Sequence, residues 1–123
     1  MIDPRAFEAL AVEALDSLPD GVAAWLDNIE VVVEDWPTRD QLDLVGLEKR
    51  GDLLGIYEGV PLTERSADYG LVLPDRVTVF RKPLLAVCST PAEVRREVRR
   101  TVLHELAHHF GIDDERLDEL GAY

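Results

Sequence analysis

The feature that most constrains this chain is one long helix predicted near its C-terminal end. Thr90, Pro91 and Glu93 form a capping box with proline at the first helical position, which predicts a helix start. Gly111 suits the left-handed position that ends a helix, so the helix should run to about Phe110. Apolar residues recur on it at four-residue spacing: Val94, Val98, Val102 and Leu106. This pattern predicts a helix that packs one face against a core.

The same helix holds all three histidines of the chain. His104 and His108 are four residues apart, so they lie about 40° apart around the axis and about 6 Å along it. Both imidazoles can therefore face one metal ion, while Glu105 points to its side, where a carboxylate can act on a water. Gly111 lets the chain reverse, and Asp114 is then the predicted third ligand of the pattern H-E-x-x-H-x-x-G-x-x-D.

Several neighbouring residues have alternative roles. Asp113 becomes the third ligand if the turn is one residue tighter, and Glu119 is a further candidate. His109 lies about 140° from His104, which favours a supporting or core role over ligation. Three tyrosines are candidates to stabilise a tetrahedral oxyanion, with the second the best placed in sequence: Tyr57, Tyr69 and Tyr123.

Two further features on or near this helix have simple interpretations. The arginines are interpreted as a solvated face that pairs with Glu93 and Glu97: Arg95, Arg96, Arg99 and Arg100. The alternative is a patch that recognises an acidic partner. Cys88 is expected to be a small buried apolar residue.

The rest of the chain predicts an α+β domain with an N-terminal helix, a small sheet and the long C-terminal helix. Asp3 and Pro4 predict the start of the first helix. The other predicted elements are a short helical piece at 22–28, strands at 29–35, 52–59 and 75–82, strand material at 71–73, a brief helix at 38–46 and a final helix from Asp113. In the strand at 75–82, alternation of valine with polar residues predicts one wet face near a sheet edge.

Composition limits the partners. The 123 residues, 46% hydrophobic and 31% charged, predict one folded domain over 1–123. A net charge of −12 disfavours nucleic acid and anionic membranes as partners. A single cysteine excludes an intrachain disulfide, and neither a leader nor an apolar span is evident, so we expect a cytoplasmic location. We also expect a monomer.

The chain resembles the minimal zincins, small bacterial zinc metallopeptidases of Asp-zincin type. The similarity covers most of its length, in "VVVED", "LLGIYEGVPLTER", "DYGLVLPDRVTVFRKP" and "HELAHHFGIDDERLDELG". It implies a zincin-like α+β fold with an edge strand above the active-site helix. It also implies ligand roles for His104, His108 and Asp114 and a base role for Glu105. The chain departs from the metzincins, because Met1 is its only methionine and no methionine turn can support the metal.

We therefore predict a zinc-dependent hydrolase of peptide or protein substrates, in which Glu105 is the general base for a metal-activated water that attacks a peptide carbonyl. The alternative is a catalytically weak or inactive zincin-fold protein that acts as a binding module. A two-histidine, one-carboxylate iron oxygenase is disfavoured, because those ligands usually lie on strands and Glu105 would have no role.

Overall fold

The structure is a computed structural model. It describes residues 2–19, 24, 29–59, 75–112 and 114–119, and for residues 114, 117 and 118 only the backbone. The strand material at 71–73 and nearly all of the predicted helical piece at 22–28 lie outside this range, as do Asp113, Tyr69 and Tyr123.

Three of the described helices begin where side-chain caps predict them. Asp3 accepts a hydrogen bond from the Ala6 amide at 2.7 Å, and Thr38 and Gln41 form a reciprocal capping box. The described residues form five α-helices, α1 (Pro4–Asp16), α2 (Arg39–Val45), α3 (Arg81–Ala86), α4 (Pro91–Phe110) and α5 (Asp114–Glu119), and a 3-10 turn at Arg50–Asp52. Local capping chemistry thus determines where α1, α2 and α4 start.

The described sheet has three strands: β1 (Ile29–Glu34), β2 (Gly55–Glu58) and β3 (Asp75–Phe80). Their order is β1-β3-β2, with β1 parallel and β2 antiparallel to β3. The prediction that β3 lies near an edge is therefore wrong. Thr78 is only 2% exposed, because helices and neighbouring strands cover the position that the alternation indicated as wet.

Two predicted strands also have different bounds. The strand expected at 52–59 begins only at Gly55, because the 3-10 turn takes up Asp52. The strand expected to reach residue 82 ends at Phe80, where α3 begins. Arg81 is 5% exposed and donates to Asp35 at 2.8 Å and to the Ile2 carbonyl at 3.1 Å, contacts that tie the start of α3 to distant parts of the chain.

The core lies between α1, α4 and the sheet. Its members share near-complete burial: Phe7, Ala11, Ala14, Val77, Val79, Leu84, Val94, Val98, Val102 and Leu106. All four residues of the predicted α4 stripe are among them, so this face of α4 packs inward, and Thr101, Leu103 and Ala107 of the same helix are buried as well. The α+β class is confirmed, with a small mixed sheet and a long C-terminal helix. No helix among the described residues is long and apolar enough to cross a bilayer.

Candidate active site

The motif residues lie on the last two turns of α4. His104 and His108 are exposed, whereas Glu105 between them is half-buried. The helix is continuous through all three. Regular α-helical geometry therefore sets the two imidazoles one turn apart on neighbouring surface positions.

Glu105 contacts the edge of the sheet. Its Oε2 accepts a hydrogen bond from the backbone N–H of Tyr57 at 3.2 Å. Burial raises the pKa of Glu105, opposed by the Tyr57 amide and by His108. A carboxylate with a raised pKa is a stronger base than an ordinary surface carboxylate.

The register of β2 explains why the Tyr57 amide reaches Glu105. Phe80 N–H donates to the Leu54 carbonyl at 2.8 Å, and Tyr57 is opposite Val77 in the ladder. Because hydrogen-bonded and non-hydrogen-bonded pairs alternate along an antiparallel ladder, Gly55 and Tyr57 point their backbone groups away from β3. Glu105 therefore binds the outer edge of β2, which is an edge strand of the described sheet.

β2 and α4 approach each other closely at Gly55. A Cβ added to this glycine would lie 2.5 Å from Cγ2 of Thr101 and 3.1 Å from the Thr78 carbonyl oxygen. A groove of about 350 Å³ runs beside this contact to the motif residues. It is lined by Asp52, Leu53, Leu54, Gly55, Glu97, Arg100, Thr101, His104 and Glu105.

A second group of side chains surrounds Tyr57. Its ring stacks on the His109 imidazole, with centroids 3.9 Å apart and planes 14° apart, and its hydroxyl donates to Asp75. His109 Nε2 lies 3.9 Å from the same Asp75 oxygen. Sequence reasoning missed Asp75, because no local pattern links three residues that lie on β2, β3 and α4.

Comparison with known proteins places the chain in a family. The family model of the zincin-like metallopeptidases matches residues 26–122. The chain belongs to the zincin-like metallopeptidase family. Membership implies zinc dependence, and it confirms the resemblance at the level of the zincins, whereas the Asp-type motif stays a prediction.

A solved structure has the same fold as this zincin. It is a conserved hypothetical protein from Thermus thermophilus, with a TM-score of 0.53 and 24% identity over 89% of this chain and 94% of that chain. No curated protein matches the chain. The likeness to the Thermus protein supports the fold and adds nothing about activity.

The segment that carries the predicted third ligand leaves α4 as expected. Gly111 adopts φ +69°, and Ile112 N–H donates to the Ala107 carbonyl at 2.8 Å, which closes the helix end. Asp114 then begins α5, but its side chain is outside the described part of this zincin. Among the described side chains, no three His, Cys, Asp or Glu residues form a metal-binding group. The ligand set therefore stays a prediction.

Other sequence candidates have structural roles. Tyr57 is committed to Asp75 and His109, and His109 is 42% exposed and therefore no core residue. Arg95 pairs with Glu13 and Arg99 donates to Ser17, so both join α4 to α1. Cys88 is only partly buried and packs against the core, and burial raises the pKa of its thiol.

Proposed function

We propose that this zincin is a zinc-dependent peptidase in which Glu105 acts as the general base. The observation that carries the proposal is the half-buried Glu105 carboxylate, bound by the outward-facing amide of Tyr57 and flanked along α4 by exposed His104 and His108. A base held at a sheet edge beside two potential metal ligands is the arrangement that metal-assisted hydrolysis needs.

The chemistry of the donor set fits zinc. His104 and His108 are exposed and one helical turn apart, and imidazole nitrogens are common zinc ligands. Asp114, three residues after the left-handed Gly111, is our proposed third ligand, and Asp113 is the alternative. Zinc held by this set would supply Lewis acidity, which polarises a carbonyl and lowers the pKa of water.

Glu105 would accept the proton of the attacking water and pass it on. Its Oε2 is occupied by the Tyr57 amide, so Oε1 is the oxygen that takes a proton from the attacking water. Burial, which raises the pKa of this carboxyl, strengthens it as a base. The same oxygen then returns the proton to the leaving nitrogen of the cleaved amide.

The edge of β2 supports a peptide as the substrate. Gly55 points its backbone groups away from β3, and it lines the groove that reaches Glu105. An extended peptide can pair with such backbone groups as an added strand. We infer that the substrate is an extended segment laid in this groove, beside the contact between β2 and α4.

Zinc content tests the ligand set first. Wild-type protein and Asp114→Ala are purified without chelator and their zinc is measured by elemental analysis. We expect about one zinc per chain in the wild type and a marked loss in the variant. Glu115→Ala, which removes the adjacent exposed carboxylate of α5, is the matched control and should keep the metal. Equal zinc in wild type and Asp114→Ala would refute Asp114 as a ligand and direct the test to Asp113.

A peptide-library screen tests the reaction. Glu105→Gln should keep zinc, since it alters no ligand, and should lose at least about 10²-fold in turnover. Undiminished turnover in this variant would refute the base role. Wild type that holds zinc but cleaves no peptide would favour the binding-module alternative.

A further inference from the structure

The Tyr57 amide that binds Glu105 belongs to a very short strand. β2 has four residues, and its outer edge faces α4 and the groove. Tyr57 is the third residue of this strand, beyond the close contact at Gly55. Pairing with β3 holds the inner edge of this strand, so the position of its outward-facing amide depends on what else secures Tyr57.

The side chain of Tyr57 contacts both neighbouring elements. Its hydroxyl donates to Oδ2 of Asp75, the first residue of β3, and its ring stacks on His109 of α4 at 3.9 Å. Asp75 lies diagonally across the ladder, since Tyr57 is opposite Val77, and a tyrosine spans that distance. The Asp75 side chain is only 15% exposed, so the contact lies in a partly desolvated place.

We propose that Tyr57, Asp75 and His109 form a positioning clamp, which fixes the end of β2 so that the Tyr57 amide holds Glu105 in place for proton transfer. The expected effect of the clamp on turnover rests on the proposed function. Its effect on the position of the Tyr57 amide does not. None of the three is a catalytic residue, because each acts through the amide of Tyr57.

Hydrogen exchange of the Tyr57 amide, followed by NMR on the metal-free full chain, tests the hold directly. Asp75→Ala removes the acceptor of the tyrosine hydroxyl and should lower protection of this amide about tenfold, the effect of losing a hydrogen bond to a charged group. Glu105→Ala gives the hydrogen-exchange protection of the Tyr57 amide when its acceptor is removed. The buried amide of Val102 reports whether the fold as a whole is unchanged.

The matched control lies one residue away on β3. Arg76→Ala removes the exposed ion pair with Glu30 and should leave Tyr57 protection within twofold of wild type. Tyr57→Phe keeps the stacked ring and loses only the hydroxyl, so it repeats the test if Asp75→Ala does not fold. Asp75→Asn retains an acceptor oxygen and should restore protection.

Unchanged Tyr57 protection in Asp75→Ala and Tyr57→Phe would overturn the clamp, whatever the activity of the protein. If a peptide substrate is found, both variants should lower kcat about tenfold while KM and zinc content stay within twofold of wild type. A changed KM with an unchanged kcat would also overturn it. An inactive wild type in which Asp75→Ala loosens the amide would refute the peptidase proposal and leave the clamp supported.

Discussion

Substitution of Gly55 by alanine should separate β2 from α4. The added Cβ would lie 2.5 Å from Cγ2 of Thr101, about 1 Å closer than carbon atoms normally pack. Thr101 is 8% exposed and its β-branched side chain has few alternative rotamers in a helix, so the strand must shift. A shift of about 1 Å would stretch the 3.2 Å bond between Tyr57 and Glu105 beyond hydrogen-bonding distance.

Overpacking of this size lowers the free energy of unfolding by about 1–3 kcal/mol. Since 1 kcal/mol corresponds to about 4 °C in a domain of this size, Tm should fall by about 4–12 °C. Urea denaturation gives the free energy, and NMR of the Tyr57 amide reports the broken bond. Gly51→Ala is the matched control, because nothing lies within 4 Å of a Cβ at that position.

Thr101→Ser tests whether Cγ2 of Thr101 is the atom that clashes with the added Cβ. It removes Cγ2, keeps the hydroxyl and should itself lower the free energy of unfolding by about 1 kcal/mol. The double variant, Gly55→Ala with Thr101→Ser, should lose less free energy of unfolding than the sum of the two single-variant losses, by about 1–2 kcal/mol. Strictly additive losses, or a Gly55→Ala variant as stable as the wild type, would refute the close approach of β2 to α4.

Three further predictions test the capping of α4, the ion pair between Arg81 and Asp35, and the metal. Thr90→Ala removes the acceptor for the Glu93 amide at the start of α4 and should lower the free energy of unfolding by about 1 kcal/mol in urea denaturation; an unchanged value would contradict the cap. The hydrogen bond from Arg81 lowers the pKa of Asp35 below its ordinary 3.8, so this stabilisation is present above pH 3.8 and is lost as the pH falls through the lowered value. The difference in Tm between wild type and Asp35→Asn should therefore shrink on acidification, and a constant difference would contradict the pairing. Zinc at about 100 times its Kd should stabilise the wild type by about 2.7 kcal/mol in thermal denaturation but not His108→Ala, and equal stabilisation would exclude His108 as a ligand.

Much of the local structure could be predicted because it depends on neighbours in sequence. Asp3, Thr38 and Thr90 cap their own helices through amides three residues on, and Gly111 ends α4 in the left-handed conformation. The same holds for the spacing of His104, Glu105 and His108, since any regular helix places them alike. The ligand and base roles built on that spacing stay predictions.

The sequence-based predictions are wrong where contacts between residues distant in sequence determine the local structure. The pattern at β3 predicted an edge strand, but pairing with both β1 and β2 makes it central and buries Thr78. The helix α3 was missed, because its first residue, Arg81, is held by Asp35 and Ile2, partners that no local window includes.

The sequence by itself therefore determined the starts of α1, α2 and α4, the α+β class and the linear arrangement of the H-E-x-x-H motif, because capping bonds and helical pitch act within a few residues. Only the tertiary structure decided what surrounds Glu105. The Tyr57 amide, the close approach at Gly55 and the Tyr57, Asp75 and His109 clamp unite β2, β3 and α4. Such contacts depend on strand order and register, which are set by how whole elements pack and not by any short stretch of the chain.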